Sequence, residues 1–249
     1  MNSSDSPSSP VRRAMILAAG LGTRFKPWTD RHPKALALVN GKSLLQRNIE
    51  YLQKWGIRDV VINVHHFARQ IVDALTVNDG WGSEYTISDE TDAVLETGGG
   101  MLKARNLLDA GPFVLMNVDI LTDMDLADMI DDHFRHRPLA TLAVTGRSTS
   151  RYFLWDDRDE LCGWRNTTTG EERMARTPLG AVVQKAFSGI HVIDPVIFHH
   201  IGLRGKFSMV DLYLSLSGNH SIRAYDHSRS RLIDVGRPES VAKAEQMFH

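Results

Sequence analysis

The chain has 249 residues, 42% hydrophobic and 24% charged, with a formal net charge of −1 at pH 7. That balance suits a globular protein with a real core, and it gives no overall basic field for nucleic acid or an anionic membrane surface. A single cysteine, Cys162, excludes an intramolecular disulfide and a metal–thiolate cluster, and no apolar run approaches the ~20 residues of a membrane-spanning helix.

Residues 1–10 are rich in Ser and Pro and lack the basic and apolar regions of a signal peptide. A disordered tail over residues 1–11, one domain over 12–249 and a cytoplasmic location are therefore expected. Residues 14–17 read as a first strand, followed by a loop with Gly20 and Gly22. Residues 42–55 carry Leu44, Leu45, Ile49, Leu52 and Trp55 at helical spacing, and Gly56 is a natural stop. A β-branched strand over 59–64, a helix over 67–75 and a short strand over 84–88 follow. Residues 101–108 read as a helix opened by three glycines, 112–118 as a buried central strand, 126–137 as a helix ended by Pro138, and 139–145 as a strand. Residues 152–184 have no clean period and read as a hairpin and loops projecting from the sheet. A strand over 187–193, helices near 195–201 and 209–217, strands over 221–225 and 231–235 and a final helix over 238–248 complete the chain. The alternation predicts an α/β fold: a single Rossmann-like three-layer domain with a predominantly parallel mixed sheet flanked by helices.

The chemistry concentrates after the first strand. Gly20 and Gly22 let backbone N–H groups approach an anion, and Arg24 and Lys34 add two cations to the same loop, which together describe a polyphosphate cradle. Two other glycine motifs are incomplete. The dinucleotide fingerprint would need a third glycine where Phe25 stands, and a Walker A loop ending at Gly41-Lys42-Ser43 would need one at Leu36. Open α/β sheets bind ligands at the carboxyl ends of their strands, where Asp119 and Asp234 both fall. The pairs His65-His66, His133/His136 and His199-His200 lack partners for a transition-metal site and read as surface or capping residues. Asp123 and Asp125 form a D-x-D pair, but Asp125 directly precedes a helix and suits an N-cap. Cys162 reads as a half-buried thiol.

The stretch Gly20-Leu21-Gly22-Thr23-Arg24, a spacer, then Pro33-Lys34 resembles the signature of the sugar-1-phosphate nucleotidyltransferases. The likeness runs from Val11 onward and is most specific over residues 14–34 and 95–102. It implies condensation of a nucleoside triphosphate with a sugar 1-phosphate, releasing pyrophosphate. It further implies that Ala19, Gly20, Gly22 and Thr23 hold the nucleotide, that Arg24 meets the departing pyrophosphate and that Lys34 bridges the reacting phosphates. The loop with Glu96, Thr97, Gly98 and Gly99 would contact nucleobase and ribose, Asn117 and Gly189 would line the sugar pocket, and Asp119 and Asp234 would hold Mg²⁺. The chain departs from the family in having Asn117-Val118 before Asp119, where a glycine usually precedes the aspartate, and in lacking a Lys-Pro pair near Lys185. The Glu96-Thr97-Gly98-Gly99-Gly100 loop leans towards uridylyl transfer to an N-acetylated sugar such as N-acetylmuramate 1-phosphate. Guanylyl transfer to mannose or heptose 1-phosphate stands beside it. A catalytically silent nucleotide-sensing subunit, a D-x-D glycosyltransferase using Asp123 and Asp125, and a cytidylyltransferase for a non-sugar alcohol phosphate are the readings from other classes.

Overall fold

The computed structural model describes residues 10–248. Of the tail expected over 1–11, residues 1–9 lie outside the described residues, and Val11 is fully buried in the core. The chain then runs β1 (Arg13–Leu17), β2 (Leu38–Val39), β3 (Lys42–Ser43), α1 (Leu44–Lys54), β4 (Asp59–Val64), α2 (Ala68–Val77), β5 (Glu84–Asp89), α3 (Glu96–Lys103), α4 (Arg105–Leu108), β6 (Phe113–Asn117) and β7 (Ile120–Thr122). It continues through α5 (Leu126–His136), β8 (Ala140–Thr145), β9 (Arg151–Trp155), β10 (Leu161–Asn166), β11 (Glu171–Met174), β12 (Val183–Ile193), α6 (Ile197–His200), α7 (Met209–Leu216), β13 (Ile222–Asp226), β14 (Leu232–Asp234) and α8 (Glu239–Met247).

The central sheet has the order β13-β8-β12-β6-β1-β4-β5. Four of its ladders are parallel, and β12 alone runs against its neighbours β6 and β8. Strands covered on both faces read as continuous apolar runs, and β1 and β6 do so. Alternate residues then serve opposite faces: Ile16 packs with α1, α2, α5 and α8, while Met15 and Leu17 pack with α3, α4, α6 and α7. The result is the three-layer α/β domain expected from the sequence.

Residues 152–184 form an antiparallel extension, β9-β10-β11, which joins the sheet where Val183–Lys185 of β12 pair with β9. Two helix starts differ from expectation. Ser43 pairs in β3 and caps α1 by accepting from the Gln46 N–H at 3.0 Å, so that helix begins at Leu44. α3 begins at Glu96, five residues before its expected start, and the helical run breaks at Ala104. β14 does not join the main sheet; it pairs with β7, setting Asp234 opposite Ile120 and beside Asp119.

Three buried histidines sit in this core as neutral hydrogen-bonding groups. His133 Nδ1 lies 2.9 Å from Thr141 Oγ1, His191 Nδ1 lies 2.6 Å from Tyr213 Oη, and His227 Nε2 lies 2.7 Å from Ser188 Oγ. Burial pushes their pKa values down to about 4, 3 and 4 respectively. The unfolded chain therefore binds protons that the native fold refuses between roughly pH 6.5 and those values, and stability falls as pH falls through that window. Urea-unfolding midpoints measured from pH 7 to 4.5 should decline, and His133→Gln should make the decline shallower. An unchanged slope in the variant would show that His133 is not one of the groups responsible.

Candidate active site

The loop after β1 is fixed from below before any ligand arrives. Asn63, near the end of the neighbouring parallel strand β4, accepts from the N–H groups of Ala18 at 2.7 Å and Ala19 at 3.3 Å. Its own Nδ2 donates to Glu90 Oε1 at 2.7 Å. Glu90 is only 1% exposed, and burial pushes its carboxyl above the usual range, with the Asn63 hydrogen bond pulling the other way. The loop then turns outward. Gly20 is exposed, with open space where a Cβ would stand. Gly22 adopts φ 61° and accepts from Thr29 Oγ1 at 2.9 Å; a Cβ there would lie 2.8 Å from Thr29 Cγ2, so only glycine fits.

These residues line a cleft of about 530 Å³ at the carboxyl ends of β1 and β6, together with Thr23, Arg24, Lys34, Asn117, Asp119 and Gly236. The Lys34 ammonium pairs with Asp119 Oδ2, and the two side chains are only 15% and 13% exposed. Arg24 Nη2 and Asp234 Oδ1 both close on Gly236, where a Cβ would meet them at 3.3 and 2.6 Å. Partial burial, and then the nearby Asp119 carboxylate, raise the Asp234 carboxyl above its ordinary value, while Lys34, Arg24 and Arg147 draw it back down. Two crowded carboxylates invite additional positive charge. Their hard oxygens fit Mg²⁺, which keeps water and phosphate oxygens in its remaining positions. Among the described residues, no group of three or more His, Cys, Asp and Glu is arranged to cage a metal.

The opposite wall carries two of the four residues expected there. Glu96 and Thr97 line the cleft; Thr97 Oγ1 accepts from the Met209 N–H at 2.9 Å, and Glu96 faces Lys206 at 3.4 Å. Gly98 and Gly99 are buried behind that wall, and their N–H groups donate to the Phe207 carbonyl at 3.0 and 3.1 Å. They therefore offer no free donors to a nucleotide. A Cβ at Gly98 would stand 2.5 Å from Phe207 Cδ2 and one at Gly99 2.4 Å from the Gly205 carbonyl oxygen, so close packing is what these glycines permit.

Asn117 and Gly189 do meet: Gly189 has φ 75°, and a Cβ there would lie 2.7 Å from Asn117 Nδ2. Lys185 does not reach the cleft residues, being held by Asp226 at 3.1 Å and Asp159 at 3.7 Å. The D-x-D pair is divided between structural duties. Asp123 accepts from Arg231 N and Nε, each at 2.7 Å, and Asp125 caps α5 through the Asp128 N–H at 3.0 Å. Cys162 is buried, and burial pushes its thiol pKa up. Asn63, Glu90, Lys206 and Ser208 also line the cleft and were not anticipated. Asn63 left one trace, a lone amide inside the β-branched run of β4.

A family model described as nucleotidyl transferase matches residues 13–153. The chain is 31% identical to the N-acetylmuramate alpha-1-phosphate uridylyltransferase of Caulobacter vibrioides, over 96% of this chain and 97% of that protein. It is 26% identical to the mannose-1-phosphate guanyltransferase of Yarrowia lipolytica over 91% of its length, and spans 61% of that longer protein. Among solved structures, HddC from Yersinia pseudotuberculosis complexed with GMP-PN has the same fold, with a TM-score of 0.75 at 22% identity, covering 96% of this chain and 100% of that one.

Asn63→Ala removes the acceptor beneath Ala18 and Ala19 and orphans the buried Glu90 carboxyl. The expected loss is about 1–3 kcal/mol of stability, with nucleotide binding weakened as the loop loosens. Melting temperature and nucleotide titration by calorimetry check both; a variant with native nucleotide affinity would show that the loop holds its shape without Asn63.

Proposed function

This chain belongs to the nucleotidyl transferase family and is a sugar-1-phosphate nucleotidyltransferase; from that premise we propose that it transfers a uridylyl group from UTP to an N-acetylated sugar 1-phosphate such as N-acetylmuramate 1-phosphate. The observation that carries the reaction is the gathering of Gly20, Gly22, Arg24, Lys34 and Asp119 at one cleft, with Asp234 against the lining residue Gly236. The choice of base and sugar is supported by the relative aligned over nearly its whole length. Guanylyl transfer to mannose 1-phosphate is the second reading, favoured by the likeness to a guanyltransferase over 91% of the chain. A cytoplasmic location accords with either.

The chemical problem is electrostatic. A phosphate oxygen of the sugar 1-phosphate attacks the α-phosphorus in line, the bond from that phosphorus to the α–β bridging oxygen breaks, and pyrophosphate leaves with the electron pair. Both reactants are anions, so positioning and charge neutralisation do the catalysis and no protein nucleophile is required. Gly20, Gly22 and Thr23 cradle the triphosphate, with Ala19 backing the nucleoside, and Arg24 binds the β- and γ-phosphates as they depart. Lys34, already oriented by Asp119, directs its ammonium to the oxygens that gain charge in the transition state. Asp119 and Asp234 would hold Mg²⁺, whose positive charge screens the two reacting anions. Glu96 and Thr97 face the nucleoside, and Asn117 and Gly189 face the sugar.

Pyrophosphate release with Mg²⁺, measured over a grid of nucleoside triphosphates and sugar 1-phosphates, tests the assignment. The UTP and N-acetylmuramate 1-phosphate pair is expected to dominate; dominance of GTP with mannose 1-phosphate would replace it with the second reading. Lys34→Ala should lower kcat by about 10²–10³ while changing nucleotide affinity far less, because its contact strengthens in the transition state. Equal losses in Lys34→Ala and in a remote surface lysine variant would remove Lys34 from the mechanism.

A further inference from the structure

The groups assigned so far leave the acceptor phosphate without a cation of its own. The Lys34 ammonium is engaged by Asp119, Arg24 lies beside Gly236 at the triphosphate loop, and Lys206 faces Glu96 on the opposite wall. Lys185 is held by Asp226 and Asp159. Arg147 remains. It is exposed, and among the described residues no carboxylate lies within ion-pair distance of it.

Topology brings Arg147 to the reacting end of the sheet. β6 and β8 both run antiparallel to β12, which lies between them, so their carboxyl ends share one edge. Asp119 stands two residues beyond β6, and Arg147 stands two residues beyond β8. Between them, β12 shifts register against β8 from Phe187 to His191, and Gly189 turns against Asn117. Arg147 Nη2 donates to the Phe187 carbonyl at 3.0 Å, which anchors the guanidinium at this irregularity and leaves Nε and Nη1 for another acceptor. The support beneath is built. Ser188 Oγ lies 2.7 Å from Nε2 of His227, a residue only 4% exposed, and the Gly146 N–H donates to Ser228 Oγ at 2.9 Å.

Resting on the reading of this cleft as a sugar-1-phosphate nucleotidyltransferase site, we propose that Arg147 binds the phosphate of the sugar 1-phosphate acceptor. A guanidinium anchored by one nitrogen offers its remaining N–H donors as a planar fork, matched to two phosphate oxygens. Its place across β12 from the Asp119 end of β6, beyond the Asn117–Gly189 contact, sets that phosphate on the sugar side of the α-phosphorus, opposite the outgoing pyrophosphate.

Steady-state kinetics of the wild type, Arg147→Ala and Arg147→Lys, with each substrate varied in turn, tests the proposal; Arg69→Ala on the exposed face of α2 is the control. Arg147→Ala should raise KM for the sugar 1-phosphate by at least about tenfold, the scale of a lost charge-assisted hydrogen bond, and leave KM for the nucleoside triphosphate within about twofold. Arg147→Lys should fall between. An unchanged acceptor KM in an active, folded Arg147→Ala, or an equal rise in both KM values, overturns the role of Arg147. If Arg147→Ala does not fold, Arg147→Gln takes its place against Arg147→Lys under the same criteria. A wild type that releases no pyrophosphate with any substrate pair overturns the reading on which the proposal rests.

Discussion

The ion pair between Lys34 and Asp119 holds this site together. Eighty-five residues separate the partners, one in the loop after β1 and the other just past β6, and both side chains are largely withdrawn from water. A mostly buried pair is only marginally favourable in itself, because desolvation offsets much of the attraction. Its value here is geometric: it fastens the glycine loop to the carboxyl end of β6. It also keeps an ammonium oriented beside a carboxylate within the cleft. Asp234, Arg24 and Gly236 complete the same charge cluster from the other side.

That clustering follows from strand ends. β1, β4 and β6 are parallel neighbours, so their following loops emerge on one side. β14 lies far along the chain and outside the main sheet, yet its ladder with β7 carries Asp234 to the residue that follows Asp119. The ribbon is short, and the Asp123–Arg231 pair clasps its other end. The carboxylates of the D-x-D pair thus serve the scaffold of the site, which is why they are absent from the cleft itself.

What the sequence made legible was whatever lay close together along the chain. Gly20, Gly22, Arg24 and Lys34 belong to one fifteen-residue stretch (20–34), and strand-end positions for Asp119 and Asp234 could be read from the apolar runs before them. The three-layer sheet was legible for the same reason, since its strands and helices alternate with clear periods. Asn63, Glu90 and Arg147 were not legible, because each acts on a backbone group or residue tens of positions away: Ala18, Asn63 and Phe187. The start of α3 was misplaced by a local rule, since three glycines in succession argue against a helix until their tertiary partners are known.

Those glycines show how the two walls of the cleft are joined. Each costs a helix interior about 1 kcal/mol relative to Ala, and three in one eight-residue helix require tertiary contacts in return. Gly98 and Gly99 admit the segment of Gly205 and Phe207, which brings Lys206 and Ser208 to the cleft. Gly100 admits Glu90: a Cβ there would stand 2.6 Å from Glu90 Oε1 and 2.9 Å from Asn63 Nδ2. Asn63 in turn holds Ala18 and Ala19 at the root of the glycine loop. One buried polar node therefore touches both the helix that carries Glu96 and Thr97 and the loop that carries Gly20 and Gly22. The two walls cannot shift independently without opening a buried hydrogen bond or creating a steric clash, and this sets the width of the space between them.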